Sequence, residues 1–270
     1  MMGGHHAATG AAAWVAVAST APFTLGLHPV SPLGVVAGAL VCAGAALAPD
    51  ADHHNATIAH SLPPVSGVVC AGIGAISGGH RHGTHSLLGI AAITALAAGA
   101  STLTVEASWA PGGELALGAG VPSLLLVAFA AKALGLVRGA AAPWLVALVL
   151  AGFVTVAAPQ EWAWLPLAVG LGAAVHVVGD MLTTGGVPLL WPFVPKPPRN
   201  WSLVPVANAV WQRNGYLGVP VLGSAGSWRE WLLLVPISAY ALYGVVDALA
   251  TAGGLEHGAV AAAIGSLLGS

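Results

Sequence analysis

Charge is what this chain has least of. Its 270 residues include seven Lys or Arg and nine Asp or Glu, 6% in all, where a soluble domain carries about a quarter. So few charges cannot cover the surface of a water-soluble globule. Cysteine is almost absent too: Cys42 and Cys70 lie in apolar stretches without CxxC spacing. They read as two small buried hydrophobes and exclude a disulfide framework. A net charge of −2 leaves no polyanion-binding surface, so nucleic acid is not an expected partner. No basic stretch follows Met1-Met2-Gly3-Gly4-His5-His6 before the first apolar run, which argues against a cleaved signal peptide. With no repeat, low-complexity tail or linker, residues 1–270 read as a single membrane-embedded domain.

What fills the chain is apolar sequence, 57% of it, in runs of about 17 to 25 residues that match a bilayer core. The expectation is an all-α, polytopic helical membrane protein with about six to eight transmembrane helices. Spans are expected near 7–25, 33–47, 84–103, 115–137, 142–157, 165–182 and 231–249, with a shorter apolar stretch at 257–269. Residues 61–79 are interrupted by Pro63, Pro64 and several glycines, and so read as interfacial or re-entrant. Residues 1–200 hold the polar motifs; 201–270 add a polar segment and one or two further apolar helices.

If the first six spans alternate, all seven basic residues fall on one side: Arg81, Lys132, Arg138, Lys196, Arg199, Arg213 and Arg229. The other side receives Glu106, Glu114 and Glu161. Short loops rich in Lys and Arg stay cytoplasmic, so the histidine-rich face should be cytoplasmic, in a multi-pass protein of the cell membrane.

That face collects the chemistry. Gly79-His80-Arg81-His82-Gly83-Thr84-His85-Ser86 packs three histidines and an arginine into six positions. Pro49-Asp50-Ala51-Asp52-His53-His54 closes the second apolar run. Carboxylates and imidazoles together suit zinc or another divalent ion. His176 and Asp180 stand i, i+4 in an apolar helix, hence on one face, and ionisable residues inside such a helix are functional candidates. Thr84 and Ser86 are candidate helix caps. Arg81 suits an anionic substrate, since guanidinium pairs bidentately with phosphate or carboxylate. Trp191, Trp201, Trp211, Trp228 and Trp231 read as interfacial anchors or as the lining of a lipid entry path. His5 reads as uninvolved.

These motifs resemble the YdjM-like family of membrane-bound metal-dependent hydrolases. The family pattern is His followed four residues on by Gly, then Pro-Asp-x-Asp-His, His-Arg-x-x-Thr-His-Ser, His-x-x-x-Asp-Met-Leu-Thr and Gly-Val-Pro-Leu-Leu-Trp-Pro. Here these read His6 to Gly10, Pro49 to His53, His80 to Ser86, His176 to Thr183 and Gly186 to Pro192. The resemblance implies a metal site drawn from His6, Asp50, Asp52, His53, His80, His85, His176 and Asp180. It implies hydrolysis of a phosphoester, on a lipid-like or membrane-proximal substrate, by metal-activated water. Asp50 or Asp52 would be ligand or general base, and Arg81 would neutralise charge on the phosphoryl group. Where the family often has Gly and an aromatic between Arg and Thr, this chain has His82-Gly83, and His82 is an extra ligand or an extra base. A more distant similarity to zinc-dependent phospholipases C and P1-type nucleases suggests zinc, as two or three ions. The rival reading is a divalent-metal or proton transporter using the same residues, though transporters place such groups near mid-bilayer and show repeated halves.

Overall fold

The computed structural model describes residues 1–157, 164–203 and 205–268; Glu161 lies outside them. Ten helices occur among these residues. They are α1 (Gly3–Ala18), α2 (Pro32–Ala45), α3 (Val65–Ser77), α4 (Leu87–Ser101) and α5 (Leu117–Ala133), then α6 (Ala142–Ala157), α7 (Trp164–Met181), α8 (Pro205–Val210), α9 (Trp228–Ala252) and α10 (Ala259–Leu268). Strands β1 (Val105–Glu106) and β2 (Glu114–Leu115) form one small antiparallel hairpin between α4 and α5. Three segments are long and apolar enough to cross a membrane: Pro32–Asp52, Trp164–Met181 and Trp228–Ala252. Helices α3 to α6 are apolar but shorter.

Helix α2 is the hub, packed on α1, α5, α7 and α9. Ser31 caps its start by accepting the Gly34 N–H at 3.0 Å, and Pro32 occupies the first turn, where its missing N–H costs nothing. Its buried positions are Gly, Ala, Val and Cys. Lipid tails are as apolar as leucine, so helices associate in a bilayer through close packing of small residues. Gly10 of α1 and Gly172 of α7 both approach the Cys42 carbonyl; a Cβ there would lie 2.7 and 2.5 Å from its oxygen. Gly10 thus lets α1 sit against α2 one turn beyond His6.

The tightest crossing in this hub is α2 on α5, where a Cβ on Gly44 would lie 2.0 Å from the Leu126 carbonyl oxygen. Gly44→Ala should therefore destabilise the protein by about 1–3 kcal/mol, the range of overpacked cores. Gly72→Ala, on α3 with nothing within 4 Å, should be neutral. Unfolding in detergent of the two variants beside the parent checks the contrast.

Within residues 61–79 the chain forms α3, with Pro63 and Pro64 ahead of its first turn. At 13 residues it is about 20 Å long, short of the hydrocarbon core. At the start of α4, Ser86 is the cap, accepting the Gly89 N–H at 3.1 Å; the Thr84 hydroxyl donates to Asp52 instead.

Candidate metal centre

One end of the bundle gathers the start of α1, the turn at Ala48–Asp52 after α2, the turn at Gly83–His85 before α4, and the end of α7. Lys132, at the end of α5, donates to the His60 carbonyl, 3.0 Å away, in the chain that follows the Ala48–Asp52 turn. These termini deliver His6, Asp52, His85, His176 and Asp180 in buried positions.

At the centre, His176 Nε2 lies 3.1 Å from His85 Nε2. Two imidazole nitrogens this close must either share a proton or present lone pairs to a common ion. Their other nitrogens decide which atoms face inward. His176 Nδ1 lies 2.7 Å from the Ala46 carbonyl, which can only accept, so Nδ1 carries the proton and Nε2 the lone pair. The Thr84 hydroxyl donates to Asp52 Oδ2 at 2.6 Å and so accepts from His85 Nδ1, 3.0 Å away. His85 Nε2 is thereby also left as a lone pair. Asp50 Oδ1 completes a triangle, 3.5 Å from His85 Nε2 and 3.6 Å from His176 Nε2. A point equidistant from these three atoms lies about 2.0 Å from each, the length of a bond from zinc to nitrogen or oxygen. Asp180 Oδ2 is the next acceptor, 3.7 and 3.9 Å from the two nitrogens. The residues fit a divalent ion.

Without an ion, the same carboxylates favour a proton on that His85 nitrogen. Burial draws the His85 imidazole down, but the carboxylates of Asp50 and Asp52 beside it reverse this and push it up to about 9. A divalent ion would compete with that proton for the same lone pair, so binding would release it.

Around this triangle stand two further groups whose ligand atoms lie within 4.8 Å of one another: His6, His176 and Asp180, and Asp50, Asp52 and His80. His6 stacks on His176 at 3.7 Å, its Nε2 is 3.3 Å from Asp180 Oδ1, and neither of its ring nitrogens has a hydrogen-bond partner among the described residues. Asp52 is nearly saturated. His80 Nδ1 lies 2.9 Å from one of its oxygens, and the Arg81 N–H and Thr84 hydroxyl donate to the other. Its contacts orient His80 and His85, as a carboxylate beside a metal site does for histidine ligands.

The remaining expected residues sit at the rim. Arg81 is held in the left-handed region, φ 57°, by its N–H bond to Asp52; its guanidinium reaches Asp180 Oδ2 at 2.9 Å. His53 lies tilted against His80, ring centroids 4.4 Å apart, but its Nδ1 accepts the Asn55 N–H and it joins none of the three groups. His82 points away, with Nδ1 at the His80 carbonyl and Nε2 3.5 Å from the Tyr216 hydroxyl. A cavity of about 230 Å³ opens on the site, lined by Asp50, His53, His80, Arg81 and Asp180 among others.

Sequence reasoning missed a second buried pair. His5 pairs through Nδ1 with Glu230 of α9, whose carboxylate also accepts N–H bonds from Met2 and Gly226, both at 2.7 Å. Consecutive helical residues diverge by about 100°, so His5 faces α9 while His6 faces α7. Glu230 near the start of an apolar span was itself the available signal. The Met1 ammonium, equally unforeseen, pairs with Asp180.

A family model described as YdjM inner membrane protein matches residues 1–252. No curated protein and no solved structure matches the chain.

Proposed function

The chain belongs to the YdjM inner membrane protein family, and from that premise we propose that it is a membrane-bound, metal-dependent hydrolase acting on a phosphoester. The observation that carries this reading is the inward-facing triangle of His85 Nε2, His176 Nε2 and Asp50 Oδ1, with a cavity at its open side. A divalent ion of the zinc type held there would lower the pKa of bound water and polarise the scissile bond.

The chain's own groups divide the remaining work. Asp50 both lines the cavity and faces the two imidazoles, so it is the carboxylate placed to bind the ion or take a proton from water. Asp52, engaged by four neighbours, keeps His80 and His85 in register. Arg81 presents positive charge at the cavity wall and pairs bidentately with a phosphoryl group when one is bound. A cavity of about 230 Å³ is below the usual span of drug-sized pockets, so it admits the reacting phosphoester of a lipid-like substrate while the rest stays outside.

The polar groups cluster at helix ends rather than along a path at mid-membrane, which favours a fixed site over a translocation route. In this reading α1, α2, α4, α5, α6, α7 and α9 cross the membrane and the site faces the cytoplasm. Arg81 lies in the site, and alternating spans would bring the other six basic residues to the same side, which supports that orientation.

The test is metal analysis of the protein purified in detergent, beside His85→Ala, with hydrolysis of a generic phosphodiester assayed before and after chelation. The expected result is bound zinc or a related ion, lost in the variant, and hydrolysis that stops on chelation and returns with the ion. Chelator-insensitive hydrolysis would remove the metal from the reaction; unchanged metal content in the variant would remove His85 from the site.

A further inference from the structure

Between Asp180 and Glu230 the chain carries no Asp or Glu but four of its seven basic residues, Lys196, Arg199, Arg213 and Arg229. This segment leaves the end of α7 and returns at the start of α9, both candidate spans, so it lies where lipid headgroups lie. Lys196, Arg199 and Arg213 line one cavity of about 390 Å³ together with Pro197 and Pro198. Neither Lys196 nor Arg213 forms an ion pair among the described residues. The chain just before it, through Pro195, lines an apolar cavity of about 300 Å³ with Leu189, Leu190, Phe193, Val194, Trp211 and Leu217.

The two linings are held together by contacts between the same stretches of chain. The Trp211 indole N–H donates to the Pro195 carbonyl at 3.0 Å. Gly215, at φ +90°, lets the chain pass so close that a Cβ would meet Val194 Cγ1 at 2.7 Å. Lys196 follows Pro195, and Arg213 stands two residues after Trp211. Phe193, at the lip, is 73% exposed.

The geometry points to a binding site for an anionic phospholipid, its phosphate headgroup on Lys196 and Arg213 and its acyl chain in the neighbouring apolar cavity. Basic side chains near a membrane surface each contribute about 1 kcal/mol toward anionic lipid, and the apolar wall distinguishes a lipid from a free anion. The site involves none of the metal-binding groups, and its occupancy does not depend on hydrolysis.

Binding of short-chain phosphatidylglycerol, phosphatidylcholine of the same chain length, and inorganic phosphate to the detergent-solubilised full chain tests this by calorimetry, with chelator present. Phosphatidylglycerol should bind at least about tenfold more tightly than either competitor. Lys196→Gln combined with Arg213→Gln should weaken phosphatidylglycerol about thirtyfold, the sum of two such charges at tenfold per 1.4 kcal/mol, and leave phosphatidylcholine unchanged. Trp211→Ala should weaken both lipids alike. Equal affinity for the two lipids, phosphate binding as tight as phosphatidylglycerol, or a double variant that binds like the parent would each overturn the proposal. Should the double variant not fold, the parent decides: at about 1 M salt, where screening acts within about 3 Å, phosphatidylglycerol affinity must fall toward that of phosphatidylcholine, and retained affinity would overturn it.

Discussion

His176→Ala should empty the candidate metal centre and stop the proposed hydrolysis in the same variant. The residue contributes one lone pair to a triangle that has only three close members, and its direction is fixed by the Nδ1 bond to the Ala46 carbonyl. Losing an outer-shell partner costs 10–100-fold in metal affinity or activity; losing the ligand itself should exceed that, with both metal content and turnover down at least about a hundredfold. The alternative account of the 3.1 Å contact is a proton shared by His85 and His176. On that account the alanine variant keeps whatever metal the parent holds, so equal metal content in parent and variant would sink the centre. Metal analysis under one buffer, with circular dichroism to show that the helices persist, separates the two.

How far the sequence reached depends on the range of the interaction concerned. His176 and Asp180 were legible because i, i+4 spacing is local, and the His80–Ser86 and Asp50–His53 motifs because each is contiguous in sequence. The six-residue crowding of His80, Arg81 and His85 in so uncharged a chain needed no tertiary knowledge. What escaped is what two distant elements do to each other. His5 looked idle because its partner, Glu230, is 225 residues away and meets it only when α9 docks on α1. Asp50 and Asp52 read as equivalent, yet Thr84, Arg81 and His80 converge on Asp52 and leave Asp50 facing the cavity. Thr84 looked like a cap because Ser and Thr before an apolar run usually are; Ser86 took that place and freed Thr84 to relay between Asp52 and His85. Pro63 and Pro64, read as interruptions of 61–79, stand just ahead of α3, and at 13 residues that helix is too short for a full span.

Asp180→Ala should be the most destabilising single substitution at this end of the bundle, costing about 3–5 kcal/mol. The carboxylate is 1% exposed and faces three positive or potentially positive groups: the Arg81 guanidinium at 2.9 Å, the Met1 ammonium, and His6 Nε2 at 3.3 Å. Removing one partner of a buried ion pair leaves the others uncompensated where water cannot reach them, and that penalty exceeds the worth of the pair itself. Arg81→Ala should cost less, because Asp180 keeps its other two partners and the arginine side chain is 22% exposed, close enough to water to be partly screened. The Arg81→Ala and Asp180→Ala double variant should then be less destabilised than the two single losses added together, since one of the stranded charges is gone. Unfolding of the three variants in detergent gives this cycle. Additive losses would show that Arg81 and Asp180 are neighbours without being coupled, and a loss below about 1 kcal/mol for Asp180→Ala, the worth of an exposed pair, would mean that this carboxylate does not anchor the site.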